Sequence, residues 1–197
     1  IGVVLLFFFF GCAIQVARPP GLDPVAQQST ATASASVISV HASARMNHTC
    51  ALIADGSLQC WGSNSAGESG TGTTTPVLKP AQVNGLGDAI GIGTGSRHTC
   101  AIRINGSVSC WGDNSHGQLG NGTYDSSLSP LGVSGLDGAS VERKATALAA
   151  GLNHTCAILG DRTVKCWGDG AQGQLGNGST VTSPQPVAVS GLSMVVS

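Results

Sequence analysis

His98-Thr99-Cys100-Ala101-Ile102-Arg103-Ile104-Asn105-Gly106-Ser107-Val108-Ser109-Cys110-Trp111-Gly112 is the stretch whose reading decides the fold. Nearly the same words run from His48 to Gly62 and again from His154 to Gly168. A motif that returns in register describes an architecture before it describes a chemistry. Inside it, Cys100–Ile104 and Ser107–Trp111 alternate in polarity around a glycine-containing turn, the signature of a β-hairpin.

The first copy makes the register explicit. If Ala54-Asp55-Gly56 is a three-residue loop with Gly56 left-handed, Ile53 faces Ser57, Leu52 faces Leu58 and Cys50 faces Cys60. The same count sets Cys100 opposite Cys110. Directly opposed antiparallel residues have Cα atoms about 4.5–5.5 Å apart, which a disulfide tolerates. Cys156 and Cys166 repeat the spacing, but their turn, Gly160-Asp161-Arg162, lacks the late glycine and suggests another turn type. Two alternatives stay open, free buried thiols and a zinc site, although zinc ligands usually pair cysteines two to four residues apart. Three bridges would use six of the seven cysteines and leave Cys12.

The rest of the composition agrees with short strands and tight turns. Of 197 residues 29 are glycine, while charged residues make up only 10%. A helical bundle would want more Leu, Glu and Lys. A net charge of −1 supplies no field for nucleic acid or acidic membrane surfaces.

Residues 1–12 read as the apolar core of a secretory signal. The run Ile1–Phe10 is too short to span a bilayer, which takes about 20 residues. Gly11-Cys12 after that run resembles a bacterial lipobox, with Cys12 as the lipid attachment residue; a plain signal peptide is the alternative. Residues 13–36, with Pro19-Pro20-Gly21 and a Gln/Ser/Thr/Ala run, read as a flexible tether. Repeats occupy 37–197, and the chain is expected to be truncated at both ends.

Cys50, Cys100 and Cys156 set periods of 50 and then 56 residues, the size of a propeller blade. The extra six residues fall between Gly122 and Ala145 and include Asp137–Lys144, read as a longer surface loop. Each unit offers four short strands. Ala89–Ile92 and Ala145–Leu148 are small and apolar, as a crowded strand would be. Next come the two hairpin strands, then a glycine-rich passage, then a last strand at Pro130–Gly135 or Pro186–Gly191.

Ala149-Ala150-Gly151-Leu152-Asn153-His154, Cys166-Trp167-Gly168 and Gly173-Gln174-Leu175-Gly176-Asn177-Gly178 resemble the repeats of the RCC1 family, named for regulator of chromosome condensation. Gly95-Ser96-Arg97-His98, Cys110-Trp111-Gly112 and Gly117-Gln118-Leu119-Gly120 match equally well. The first unit departs, with Arg45 where the others have Gly and Glu68-Ser69 for Gln-Leu, as an edge blade would. The paired cysteines look like the exported bacterial branch of the family. The resemblance implies an all-β chain of about three β-propeller blades from an incomplete ring, typically seven-bladed.

Among candidate chemistry, His48, His98 and His154 recur once per unit, as do Trp61, Trp111 and Trp167. Such recurrence points to blade geometry rather than to a metal or catalytic set, and the tryptophans to packing rather than sugar stacking. His116 reads as a surface residue. Asp113, Asn114 and Asp169 lack the ligand spacing of a calcium loop and read as turn formers. Asn47, Asn105, Asn121, Asn153 and Asn177 begin glycosylation triplets, which mean little in a bacterial setting. No nucleophile elbow, phosphate loop or paired carboxylates appear, so no cofactor, metal or small-molecule substrate is expected.

The function expected is a noncatalytic scaffold, exported to the bacterial outer membrane or cell surface as a lipoprotein, or secreted. It would present loops to a protein or polysaccharide partner, would not bind nucleic acid, and would meet the membrane only through its lipid. The resemblance implies two rivals: a guanine-nucleotide exchange factor, and an inhibitor that caps an extracellular enzyme. A propeller lyase or hydrolase is disfavoured by the missing acid–base set.

Overall fold

In the computed structural model, residues 36–43 and 47–192 are described. Cys12, the expected leader at 1–12 and nearly all of the expected tether at 13–36 lie outside the described residues. The described residues form three four-stranded antiparallel sheets, each ordered as in sequence. The first holds β1 (Val37–Ala42), β2 (His48–Ile53), β3 (Leu58–Gly62) and β4 (Val77–Gln82). The second holds β5 (Ala89–Thr94), β6 (His98–Arg103), β7 (Val108–Gly112) and β8 (Ser127–Gly132). The third holds β9 (Ala145–Ala150), β10 (His154–Leu159), β11 (Val164–Gly168) and β12 (Ser183–Ala188). These are three β-propeller blades, as the repeat period implied.

The central hairpins fold as their turns dictate. Cys50 pairs with Cys60, Cys100 with Cys110 and Cys156 with Cys166, and each pair forms a disulfide with Cα atoms 4.1, 4.1 and 4.0 Å apart. Asp55, Asn105 and Asp161 each turn a side-chain oxygen onto the backbone N–H two residues on, at 2.9, 2.9 and 3.0 Å. This polar clasp, common to all three turns, explains why the third needs no glycine. Arg162 takes the left-handed position itself, with φ 67° against 83° at Gly56 and Gly106. The third turn is therefore of the same kind, contrary to the reading from its missing glycine.

A second correction concerns the outer strands. The last strand of the second blade is Ser127–Gly132 and that of the third is Ser183–Ala188, each three residues earlier than the sequence suggested. These edge strands have no buried residue and carry Pro80, Pro130, Pro184 and Pro186, which cannot donate to a further strand. Proline there blunts the open edge against pairing with another chain.

Burial is concentrated between blades. One cluster joins Cys50, Leu52, Leu58 and Cys60 of the first blade to Ala89, Ile92, Ala101 and Trp111 of the second. The other joins Cys100, Ile102, Val108 and Cys110 to Ala145, Ala157, Leu159 and Trp167. Each core thus stacks the disulfide of one blade against the tryptophan of the next. Small residues on the first strands permit close approach: Gly93 faces Ala150 and Leu148, where a Cβ would sit 3.6 and 3.7 Å from their Cβ atoms.

Candidate functional site

His48 and His98, Trp111 and Trp167, and the Cys50–Cys60 and Cys100–Cys110 pairs converge on the two blade junctions, whereas His154, Trp61 and the Cys156–Cys166 pair lie outside both. His48 Nε2 lies 3.1 Å from Thr99 Oγ1 of the next blade, and Thr99 Oγ1 donates to the Glu68 carbonyl at 2.9 Å. Trp111 Nε1 donates to that carbonyl at 2.9 Å. The second junction repeats the set. His98 Nε2 lies 2.9 Å from Thr155 Oγ1, and the Gln118 carbonyl accepts from Thr155 at 3.2 Å and from Trp167 at 2.9 Å.

The hydrogen count fixes the tautomer. A threonine hydroxyl has one proton, and here it goes to the loop carbonyl, so the histidine must donate from Nε2. Nδ1 then carries the lone pair, and the Nδ1 atoms of His48 and His98 are buried without a partner. A protonated ring would bury an unsatisfied N–H as well as a charge. The pKa of His98 is accordingly pushed down to about 3, by burial first and then by facing His48. Burial also lowers His48 against the pull of Glu68, and His154 against that of Asp169. The neutral, buried rings of His48 and His98 are poorly suited to metal or proton-transfer chemistry, while His154 is only partly buried. Among the described residues no group of three or more His, Cys, Asp or Glu is placed to hold a metal ion.

Trp111 and Trp167 are fully buried at these junctions, whereas Trp61 is only partly so. Trp167 also explains the second glycine of Gly-Gln-Leu-Gly. Gly120, at φ 70°, lies against the indole, where a Cβ would come within 2.6 Å of Nε1.

The glycine-rich passages are tied down by residues that the sequence reading undervalued. Asn114 is fully buried. Its Nδ2 donates to the carbonyls of Thr123 and Asp125 at 2.9 and 3.0 Å, and its Oδ1 accepts from Leu119 N at 2.9 Å. Asn64 does the same for Thr73, Thr75 and Ser69. These are anchors of a whole loop rather than local turn formers. Asp113 and Asp169 remain local, each accepting from a backbone N–H two residues on, at 3.3 and 3.0 Å. The signal for Asn64 and Asn114 was their recurrence two residues after Cys-Trp-Gly; Gly170 interrupts it in the third unit.

The departure at Glu68 has a local cause. In the second blade Gln118 Nε2 donates to Asp113 Oδ2 at 3.0 Å, while Gln118 Oε1 accepts from His116 N. In the first blade the polarity is exchanged: Ser63 Oγ donates to Glu68 Oε1 at 3.0 Å, and Ala66 N donates to Oε2. A donor facing a carboxylate replaces a carboxylate facing an amide. His116 itself is at the surface, with Nδ1 3.0 Å from Ser115 Oγ.

What remains outward are the later parts of these loops, residues 71–76, 121–127 and 177–182. They are rich in Thr and Ser and differ from blade to blade. Asn121 and Asn177 sit in them, clasping the N–H of Thr123 and Ser179 at 3.1 Å each.

Comparison with known proteins agrees with this geometry. The family model "Regulator of chromosome condensation (RCC1) repeat" matches residues 55–102, 105–158 and 164–197, and a second model of the same description matches 89–118 and 145–174. No curated protein matches the sequence. Among solved structures, human WBSCR16 is 22% identical with a TM-score of 0.68, over 80% of this chain and 38% of that one. Yeast RCC1 (Prp20), solved bound to Kap60, is 17% identical with a TM-score of 0.69, over 83% and 39%. Prp20p from Saccharomyces cerevisiae, described with its binding properties to Gsp1p and histones, is 20% identical with a TM-score of 0.63, over 74% and 36%. This chain thus spans between 36% and 39% of the length of those proteins. Two copies of a buried His–Thr–carbonyl–Trp geometry accompany family-model matches over more than half of the chain's length, and those matches place the chain in the RCC1 repeat family.

Proposed function

We propose that the chain is part of a noncatalytic binding scaffold that works outside the cytoplasm and presents its inter-strand loops to a protein or polysaccharide partner. The observation that carries this reading is the division of labour among side chains. The repeated His, Trp and Cys residues lie mainly at or within the blade junctions, while the segments that vary between blades face solvent. The similar yeast propellers are described as binding proteins, Kap60, Gsp1p and histones, which supports the choice of a binding role. Three disulfides suit an oxidising compartment. No helix among the described residues is long and apolar enough to cross a membrane. In this reading residues 1–12 are an export leader, Cys12 is the lipidated residue, 13–36 is the tether and 37–197 is the binding module.

The test is twofold. Palmitate labelling that depends on Cys12 supports the anchored form; a reduced, cytosolic protein overturns it. A partner cross-linked through residues 71–76, 123–127 or 178–182 supports the loop surface, and turnover of a polysaccharide by the purified chain refutes the noncatalytic role. Accelerated nucleotide release from a GTPase would favour the exchange-factor reading, against which the disulfides stand.

A further inference from the structure

Each blade junction is made from two unlike halves. The earlier blade supplies a histidine, a loop carbonyl and a glycine; the later blade supplies a threonine, a tryptophan and an outer-strand residue. His48, Glu68 and Gly67 thus meet Thr99, Trp111 and Leu128. His98, Gln118 and Gly117 meet Thr155, Trp167 and Pro184. Leu128 and Pro184 cover their glycines closely: a Cβ on Gly67 or Gly117 would lie 2.9 or 2.6 Å from the covering Cα. The Leu128 and Pro184 carbonyls also accept from Gly72 N and Gly122 N of the earlier blade, at 3.0 and 2.9 Å.

The third blade carries the earlier half of such a junction, built but unspent. The His154 ring lies on Gly151 as the His98 ring lies on Gly95. Gln174 Oε1 accepts from Gln172 N at 2.8 Å, as Gln118 Oε1 does from His116 N. Gly173 N donates to the Gly170 carbonyl at 2.8 Å, as Gly117 N does to that of Asn114. Among the described residues no hydrogen bond reaches His154 Nε2, the Gln174 carbonyl or Gly178 N. A Cβ on Gly173 would meet nothing within 4 Å.

The first blade carries the later half. Thr49 and Trp61 stand at the positions of Thr99 and Trp111, half-buried and without a side-chain hydrogen bond among the described residues. Leu78 stands at the position of Leu128 and is 90% exposed. Val40 pairs with Ala51 as Ile92 pairs with Ala101, yet Val40 is 58% exposed and Ile92 only 4%.

We propose that this chain associates head to tail, the first blade of one copy closing on the third blade of another to form a further junction of the same kind. Thr49 then joins His154 to the Gln174 carbonyl of the other copy, Trp61 donates to that carbonyl, and Leu78 covers Gly173. Ala149 occupies the place of Gly93, where a Cβ would make an ordinary 3.6 Å contact, so the receiving face admits alanine but no long side chain. Because the two faces differ, the contact is heterologous and leaves each copy one face free. It uses blade faces rather than loops and holds whatever the loops bind.

The test is sedimentation of the whole chain over a range of concentrations, in which the mass is expected to rise with concentration. Leu78→Glu changes a side chain in solvent and Ala149→Arg an exposed position, so each copy stays folded. Each alone weakens association about tenfold or more, by setting a charge in the closed contact. Mixed in equal amounts they associate again but stop at one copy of each, since one keeps its third blade and the other its first. Thr49→Val weakens the parent contact about fivefold. Mass independent of concentration, association unchanged in the variants, or a mixture that stays apart overturns the proposal. A photoreactive side chain at position 78 locates the contact. Cross-links to residues 172–178 of an isotope-labelled second copy are expected; cross-links only to residues 13–35 or to the hairpin tips overturn it.

Discussion

His98 Nε2 and Thr155 Oγ1 lie 2.9 Å apart across a blade junction, although 57 residues separate them in sequence. The threonine hydroxyl in turn donates its hydrogen bond to the Gln118 carbonyl, which Trp167 also engages. One buried hydroxyl therefore joins a strand of the second blade, a loop of the second blade and a strand of the third.

Replacing Thr155 by Val keeps the shape and removes the hydroxyl. His98 Nε2 then loses its acceptor inside a dry junction, so Thr155→Val should destabilise the fold by about 1–3 kcal/mol. Thr49→Val is the control, because among the described residues the Thr49 side chain makes no hydrogen bond across a junction, and Thr49 is only partly buried. It should change stability by less than about 0.5 kcal/mol. Urea midpoints of the two variants against the parent chain measure the difference.

The same junction predicts a pH dependence. His98 has a folded pKa near 3 against an ordinary 6.5, so the folded state holds fewer protons than the unfolded chain between those values. Stability is complete above about pH 6.5 and is lost as pH falls towards 3, by about 1.4 kcal/mol per unit for each such histidine. His48, also lowered, adds to the slope. His98→Gln should cost stability at neutral pH yet flatten the acid limb, which thermal melts between pH 4 and pH 7 would show.

The hairpins were legible because their determinants are local. Nine residues between cysteines, centred on Asp-Gly or Asn-Gly, fix the register by counting. The junction geometry was only half legible: recurrence of His and Trp marked them as structural, but Thr99 and Thr155 were passed over beside the cysteines. Their partners lie one blade away, and no spacing rule reports them. The outer strands were misplaced for another reason. Ser127–Gly132 has no buried face, so Leu131 and Val133 drew the strand three residues late. The turn at Arg162 shows the limit of residue identity, since the clasp from Asp161 governs the backbone more than the missing glycine does.

The three disulfides should differ in accessibility to reductant. Cys50, Cys60, Cys100 and Cys110 are fully buried within the blade stack, whereas Cys156 is partly exposed on the open face of the third blade. Graded reduction followed by alkylation and mass spectrometry should label Cys156 and Cys166 first. Removing the Cys100–Cys110 bridge by Cys100→Ser/Cys110→Ser should cost about 2–3 kcal/mol, the entropy of closing a short loop plus whatever packing is lost. Equal labelling of all six cysteines at low reductant would contradict this order.

Relieving Arg162 should stabilise the chain. Its φ of 67° lies in the left-handed region, where a side chain costs about 1 kcal/mol and glycine costs little. Arg162→Gly gives back part of that through the looser unfolded chain, so a net gain of about 0.5 kcal/mol is expected. Gly106→Arg is the opposite change, in a turn where Lys144 already fills the space beside the Cα, and should destabilise by more. Melting temperatures of both variants decide it.

The exchange of polarity between Ser63–Glu68 and Asp113–Gln118 can be tested as a double-mutant cycle. Ser63→Asp alone sets two carboxylates at hydrogen-bond distance in a site where Glu68 is fully buried, and should be strongly destabilising. Glu68→Gln alone keeps the acceptor for Ala66 N and leaves Ser63 able to accept from the new amide, so its cost should be small. The double variant recreates the pair of the second blade, in which an amide donates to a carboxylate at 3.0 Å. Most of the loss caused by Ser63→Asp should then be recovered, with a coupling energy of about 1–3 kcal/mol measured by denaturant unfolding. Additive costs would mean that the two loops keep their geometry independently of this contact. The Glu68 carbonyl would then be positioned for Thr99 and Trp111 by the Asn64 anchor alone, and Asn64→Ala would become the variant that loosens the first junction.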